Sequence, residues 1–225
     1  MVEITADDTI RRVSLVDNVT VGLRNALLNG EIRPGDRIRV PELEKRFGVS
    51  HIPIREALRR LEAEGLVVTN PQRAAVAAGV DLEDLTALYD LRRMVECDVI
   101  HRSVAAMTDE EVGTVRAALA ALREVESRVD SDEFWQRHRE FHWALLEPGA
   151  TAWVKRVVDQ TGIASERYVR IFVGETAADA MRDHCELLEA CESRDAERAA
   201  DVLLRHLDLA EQVVRRHFPS TQEES

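Results

Sequence analysis

The sequence is poor in the features that would tie it to a membrane, a secretory route or a familiar enzyme. It has three cysteines in 225 residues, Cys97, Cys185 and Cys191. They form neither a CxxC pair nor a disulfide framework, which fits a reducing cytoplasm. No apolar run approaches the length of a membrane span, and the start MVEITADDT lacks the basic and apolar regions of a secretory signal. Glycine and proline number 10 and 6 and are sparse after residue 80, which leaves little room for a mobile catalytic lid. A dinucleotide-binding glycine pattern, a phosphate loop, an HExxH and a nucleophile elbow are all missing. The expectation is a cytoplasmic protein with no membrane segment and no catalytic activity.

Charge is unevenly supplied along the chain. The net charge is −12, but residues 1 to 79 hold 12 Lys and Arg against 11 Asp and Glu, whereas residues 80 to 225 hold 18 against 31. The front tolerates a polyanion and the back does not.

The front reads as a small helical region with a hairpin. A helix near residues 14 to 28 carries Leu15, Val19, Leu23, Ala26 and Leu27 at helical spacing. Gly30, Pro34 and Gly35 end it. A short helix at PELEKRF, a turn at Gly48 and a helix from SHIPIREALRRLEAEG follow, with Ser50 placed to cap the first turn and Gly65 to end the run. In that last helix Ile54, Ala57, Leu58 and Leu61 form an apolar face, while His51, Arg55 and Arg59 recur every four residues on another. Such a basic face suits a major groove, or simply solvent on a structural helix. LVVTNPQRAAVAA then reads as two short strands about a turn at Asn70 and Pro71, with Gln72 and Arg73 at the tip.

The segments LLNGEIRPGDRI, ELEKRFGVS, PIREALRRLEAEGLV and PQRAAV, in that order, resemble the winged helix-turn-helix of the GntR family of bacterial transcription regulators. The resemblance implies a homodimer on a roughly palindromic double-stranded DNA operator. It assigns DNA contacts to Ser50, His51, Arg55 and Arg59 on the second helix, and to Gln72 and Arg73 in the wing. Two positions depart from the family. His51 stands where arginine is usual, and Ala74 where glycine is usual, so the half-site is expected to differ from those of relatives.

From residue 80 onward the periodicity predicts six helices, near 81–106, 108–128, 131–147, 150–172, 175–192 and 194–217, forming an antiparallel bundle. The breaks fall at MTDEE, VDSDE, EPGA, around Gly174 and at ESRDA. Four of the seven histidines fall on inward stripes of three of these helices. His138 and His142 accompany Phe134, Phe141 and Leu145; His184 accompanies Met181, Leu187 and Cys191; His206 accompanies Val202, Leu209 and Val213. Each alone is an ordinary hydrogen-bonded core histidine. Together they could equally offer one lone pair each to a shared divalent cation.

This half resembles the FCD effector domain of the FadR branch of the GntR family, over nearly its full length. The motifs HREFH, DHCELLEACESRDAERAA and RHL carry the likeness. The resemblance implies metal ligands at His138, His142, His184 and His206, the first replacing the family's aspartate. Exchanging a carboxylate for an imidazole leans the site toward Zn, with Ni or Co next, over Mn or Mg. The resemblance also places Arg92, in an RxxxE pair with Glu96, beside a small carboxylate effector. The fold expected is mainly α, with a winged helix-turn-helix DNA-binding domain at 1–79 and an all-helical metal- and effector-binding, dimerising domain at 80–225. The function expected is a repressor released by its effector. A purely structural metal is the alternative. A fused metalloenzyme is disfavoured because Glu140, the nearest acid in sequence, points off the face of the two histidines.

Overall fold

The computed structural model describes residues 14–69, 74–79, 81–170 and 177–217. The chain divides into two compact units, Met1–Ala78 and Gly79–Ser225.

The first unit begins with α1 (Leu15–Leu28), where the Ser14 hydroxyl accepts from the Val16 N–H at 3.1 Å. Val19, Leu23 and Ala26 are buried along one stripe. After the two-residue strand β1 (Arg37–Ile38), α2 (Val40–Phe47) ends at Gly48, whose φ of 66° is the left-handed conformation that turns the chain sharply. α3 (His51–Ala63) packs on α1 through Ile54, Ala57, Leu58 and Leu61. Arg24 on α1 donates to both carboxylate oxygens of Glu64 at 2.8 and 2.5 Å, clamping the pair. Ser50 is the N-cap residue by position, but its hydroxyl makes no cap bond, unlike the expectation from sequence.

The strands β2 (Val67–Val68) and β3 (Ala75–Ala77) pair antiparallel, and β1 joins the other edge of β3 to give the order β1-β3-β2. A two-residue strand has no alternation to read, so β1 is invisible to sequence periodicity. The wing turn at Asn70 and Pro71, with Gln72 and Arg73, lies outside the described residues.

The second unit is a bundle of α4 (Leu82–Ala106), α5 (Asp109–Glu124), α6 (Asp132–Leu146), α7 (Ala152–Val169), α8 (Ala177–Ser193) and α9 (Ala196–His217). Polar caps fix the starts: Asp81 accepts from two N–H groups of α4, Thr108 and Glu111 form a capping box, and Ser131 and Thr151 cap α6 and α7. Short 3-10 turns at Glu126–Arg128 and Glu147–Gly149 end α5 and α6 earlier than continuous periodicity suggests. The break expected around Gly174 lies outside the described residues.

α4 is the central strut, with α9, α7 and α6 packed along it. Tyr89, Ile100, Leu122, Phe141, Leu145 and Leu187 are fully buried in the core. At Gly149 the chain closes directly on α4. A Cβ there would come within 2.7 Å of both Val99 O and Ser103 N, and the Gly149 N–H donates to Ser103 Oγ at 2.7 Å. The fold is thus mostly helical, with a small N-terminal sheet followed by a helical bundle, as the sequence pattern implies. Among the described residues no helix is long and apolar enough to cross a membrane.

Candidate functional site

The bundle brings all four singled-out histidines together. His138 and His142 project from successive turns of α6, His184 comes from α8 and His206 from α9. One ligand atom from each lies within 4.8 Å of all the others. Ring centroids are 4.4 Å apart for His138 and His142, 4.8 Å for His184 and His206, and 6.3 Å at the widest, between His138 and His206. Phe134 stacks on His138, and the Phe141 edge meets His184, so aromatic packing fixes two rings from the outside.

Burial decides the protonation state of these rings. It holds His138, His142 and His184 well below the usual imidazole value, assisted by mutual repulsion within the cluster and, for His138 and His142, by the Arg92 charge. Neutral rings keep one lone pair each. His142 Nε2 and His184 Nε2 lie 3.2 Å apart. Two nitrogens held at about 2.0–2.1 Å on a tetrahedral zinc are about 3.4 Å apart, so this spacing fits a common cation.

Nδ1 of His142, His184 and His206 is buried without a hydrogen-bond partner among the described residues. A cation held through the Nε2 atoms would leave these Nδ1 groups to be matched from behind. Asp183 Oδ2 stands 3.6 Å from His206 Nδ1, on the side where a carboxylate orients a ligating imidazole. The donor set is therefore a His-rich cluster able to coordinate a metal.

The cluster opens on a cavity of about 130 Å³ lined by Tyr89, Arg92, Trp135, Trp143, Ser165 and Met181 among others. Arg92 is already engaged. Its Nε and Nη2 donate to the two oxygens of Glu96 at 2.7 and 3.2 Å, and Nη1 donates to Ser165 Oγ at 2.8 Å. Glu96 is only 1% exposed, so the cavity wall carries a nearly neutral ion pair in place of a lone cation. Burial pushes the Tyr89 phenol up to about 12, which keeps it protonated. Glu140 pairs with Gln136 and Arg137 on the exposed side of α6, away from the cluster.

Sequence reasoning missed α7 as a wall of this cavity. Its buried residues are Thr161, Ser165, Glu166 and Tyr168, a polar set on an inward face. That inversion of the usual pattern is legible as a signal, because a helix that buries its polar stripe faces something polar. Glu166, 4% exposed, accepts from Arg139 at 2.5 Å and from Arg170 Nε at 2.7 Å.

In the first unit, Ser50, His51, Arg55 and Arg59 are all exposed at or along α3. The first turn of α3 contains no acidic residue, and the Ser50 hydroxyl leaves its N–H groups unclaimed. Arg55 has no hydrogen-bond or ion-pair partner among the described residues, while His51 Nδ1 lies 3.9 Å from Glu44. Gln72 and Arg73 lie outside the described residues.

Comparison with known proteins places both halves. Residues 15–76 match the bacterial regulatory proteins of the gntR family, and residues 87–209, more than half the chain, match the FCD domain. The HTH-type transcriptional regulator BphR of Paraburkholderia xenovorans (strain LB400) is 29% identical over 210 residues, covering 90% of this chain and 86% of that protein. The HTH-type transcriptional repressor GlaR of Escherichia coli (strain K12) is 27% identical over 195 residues, covering 82% and 89%. Among solved structures, E. coli McbR/YncC superposes with a TM-score of 0.77 at 20% identity, covering 91% of this chain and 99% of its own. A GntR transcriptional regulator from Rhodococcus sp. RHA1 gives 0.76 at 24%, covering 90% and 98%. These two likenesses concern the fold. The chain belongs to the gntR family of bacterial regulatory proteins, joins that family's DNA-binding region to an FCD domain, and stands with DNA-binding transcriptional regulators and not with enzymes.

Proposed function

We propose that this protein is a metabolite-responsive repressor, held on its operator as a homodimer and released when a small carboxylate enters the cavity beside a bound metal. The observation that carries the reading is the convergence of His138, His142, His184 and His206 within 4.8 Å at the edge of the cavity that Arg92 also lines. Those four residues would hold the cation, zinc before nickel or cobalt. When bound it would supply a positive charge and open coordination positions for a carboxylate.

Arg92 orients the far end of the effector through the two N–H groups that Glu96 and Ser165 do not take. Size limits the effector. A cavity of about 150 Å³ takes a benzene molecule, so one of about 130 Å³ suits a molecule of about six heavy atoms, such as a short hydroxy acid, or a short dicarboxylate at the upper limit. On the DNA side, the α3 N-terminus with Ser50, His51, Arg55 and Arg59 enters a major groove, and the wing residues Gln72 and Arg73 reach the flanking backbone. Effector and operator are then coupled reciprocally, each lowering affinity for the other.

A second reading is a metal with a purely structural role. The bidentate Arg92–Glu96 pair favours it, because an arginine already matched by a buried carboxylate has less to offer an incoming anion.

Elemental analysis of protein purified without chelator or a histidine tag, alongside His138→Ala and His184→Ala, tests the metal. About one transition metal per chain, reduced in both variants, is expected; no uptake after reconstitution with Zn, Ni, Co or Mn would overturn the site. Operator binding titrated with short carboxylates then separates the two readings. Weakened binding supports release, and no response to any carboxylate leaves the metal structural.

A further inference from the structure

We propose that Ile52 reads the 5-methyl group of a thymine in the major groove, which makes it a base-selecting residue of this regulator. The inference rests on the reading that α3 enters the groove. Ile52 is the second residue of α3 and is 68% exposed, whereas Ile54, Ala57, Leu58 and Leu61 of the same helix are between 0 and 4% exposed. Among the described residues its side chain belongs to no buried core. A branched aliphatic chain is also a weaker helix former than many polar residues that could stand there.

The company it keeps gives the exposure meaning. A single exposed apolar side chain is unremarkable in itself, and Leu15, Val21 and Val68 are further cases in the first unit. Ile52 differs in its place on the wheel. At about 100° per residue it stands about 20° from Arg59 and about 60° from Arg55, at one end of an arc that runs on to His51 about 100° away. That arc is solvent-facing throughout: the side chains of His51 and Arg59 are 61% and 77% exposed. An apolar group set among hydrogen-bonding side chains matches a surface that is itself mostly polar with an isolated apolar spot.

The major groove has that character. Its edges are donors and acceptors, interrupted only by the thymine methyl, which apolar side chains contact. Position along the helix agrees. Residues at the N-terminal end of such a helix are the ones that reach base edges. Ile52 and His51 are in the first turn; Arg59 is two turns on.

Removing a methyl from water is worth about 0.8 kcal/mol, so deleting that thymine methyl should weaken binding about fourfold per half-site. Duplexes are selected by the wild-type protein from a randomised library. Each thymine is then replaced singly by uracil, which removes only the methyl, and affinities are measured by fluorescence anisotropy at fixed salt. The expected result is one uracil-sensitive position per half-site in the wild type and in Ile52→Val, with the effect at that position below about 1.5-fold in Ile52→Ala. Absence of any methyl-sensitive thymine, or sensitivity that persists in Ile52→Ala, overturns the proposal. Arg55→Ala is measured in parallel to keep it distinct from its premise. If Arg55→Ala weakens binding while uracil has no effect, only the methyl contact fails; if Arg55→Ala also binds unchanged, the placement of α3 in the groove fails with it.

Discussion

Acidifying the metal-stripped protein from about pH 7.5 to about 5.5 should destabilise the helical bundle by an amount set mainly by its histidines. His138, His142 and His184 are held well below their ordinary value, chiefly by burial, so the folded state keeps them neutral. The unfolded chain protonates them near pH 6.5. Stability is therefore full above that value and falls as the pH drops through it, because the unfolded state binds the extra protons. Each such ring contributes a loss of about 1.4 kcal/mol over that interval, and three contribute about 4 kcal/mol. That is a large share of a total of about 5–15 kcal/mol. Trp135, Trp143 and Trp153 all lie in the bundle, so urea titrations followed by tryptophan fluorescence in the presence of chelator report this unit alone. The double variant His142→Leu, His184→Leu should lose about 1.4 kcal/mol over the same interval. Equal losses in the two proteins would refute the argument, since the carboxylates common to both would then account for the whole effect.

Three further outcomes follow from particular contacts. Gly149→Ala should lower the bundle's stability by about 2 kcal/mol, because the new Cβ meets backbone atoms of α4 at 2.7 Å and neither can yield as a side chain would; an unchanged urea midpoint would contradict this. Glu166→Gln removes the buried negative charge between Arg139 and Arg170, and a loss of about 3 kcal/mol is expected by the same titration. His51→Arg should tighten operator binding and steepen its salt dependence by about one counterion per half-site, read as the slope of log affinity against log salt. An identical slope would mean that position 51 touches no phosphate.

The helices and the histidine cluster are legible in the sequence for one reason: both are periodic. Stripes such as Val19, Leu23 and Ala26, or Met181, Leu187 and Cys191, announce an element and its inner face together, so the neighbours of His184 alone are enough to turn it inward. Where periodicity stops, legibility stops. β1 is too short to alternate, and the 3-10 turns after α5 and α6 are decided by local hydrogen bonds, such as those from the N–H of Ser131 to Arg128 and of Ala150 to Glu147, that an apolar pattern does not register. Ser50 sits at the N-cap as its residue type suggests, yet the type alone does not orient the hydroxyl. The engagement of Arg92 by Glu96 is readable from the four-residue spacing. Its third bond, to Ser165, is not, because 73 residues separate the partners and only the packing of α7 against α4 brings them together.

The four donors have an order in time as well as a place in space. The first is on α6 and the last on α9, with His184 alone 42 positions after His142. Chains emerge from the ribosome N-terminal end first, and domains generally fold as units as they appear. A DNA-reading unit that ends at residue 78 is thus complete long before the fourth imidazole is synthesised. Metal capture at this cluster would be among the last events of maturation, since no chain shorter than about 206 residues carries all four imidazoles.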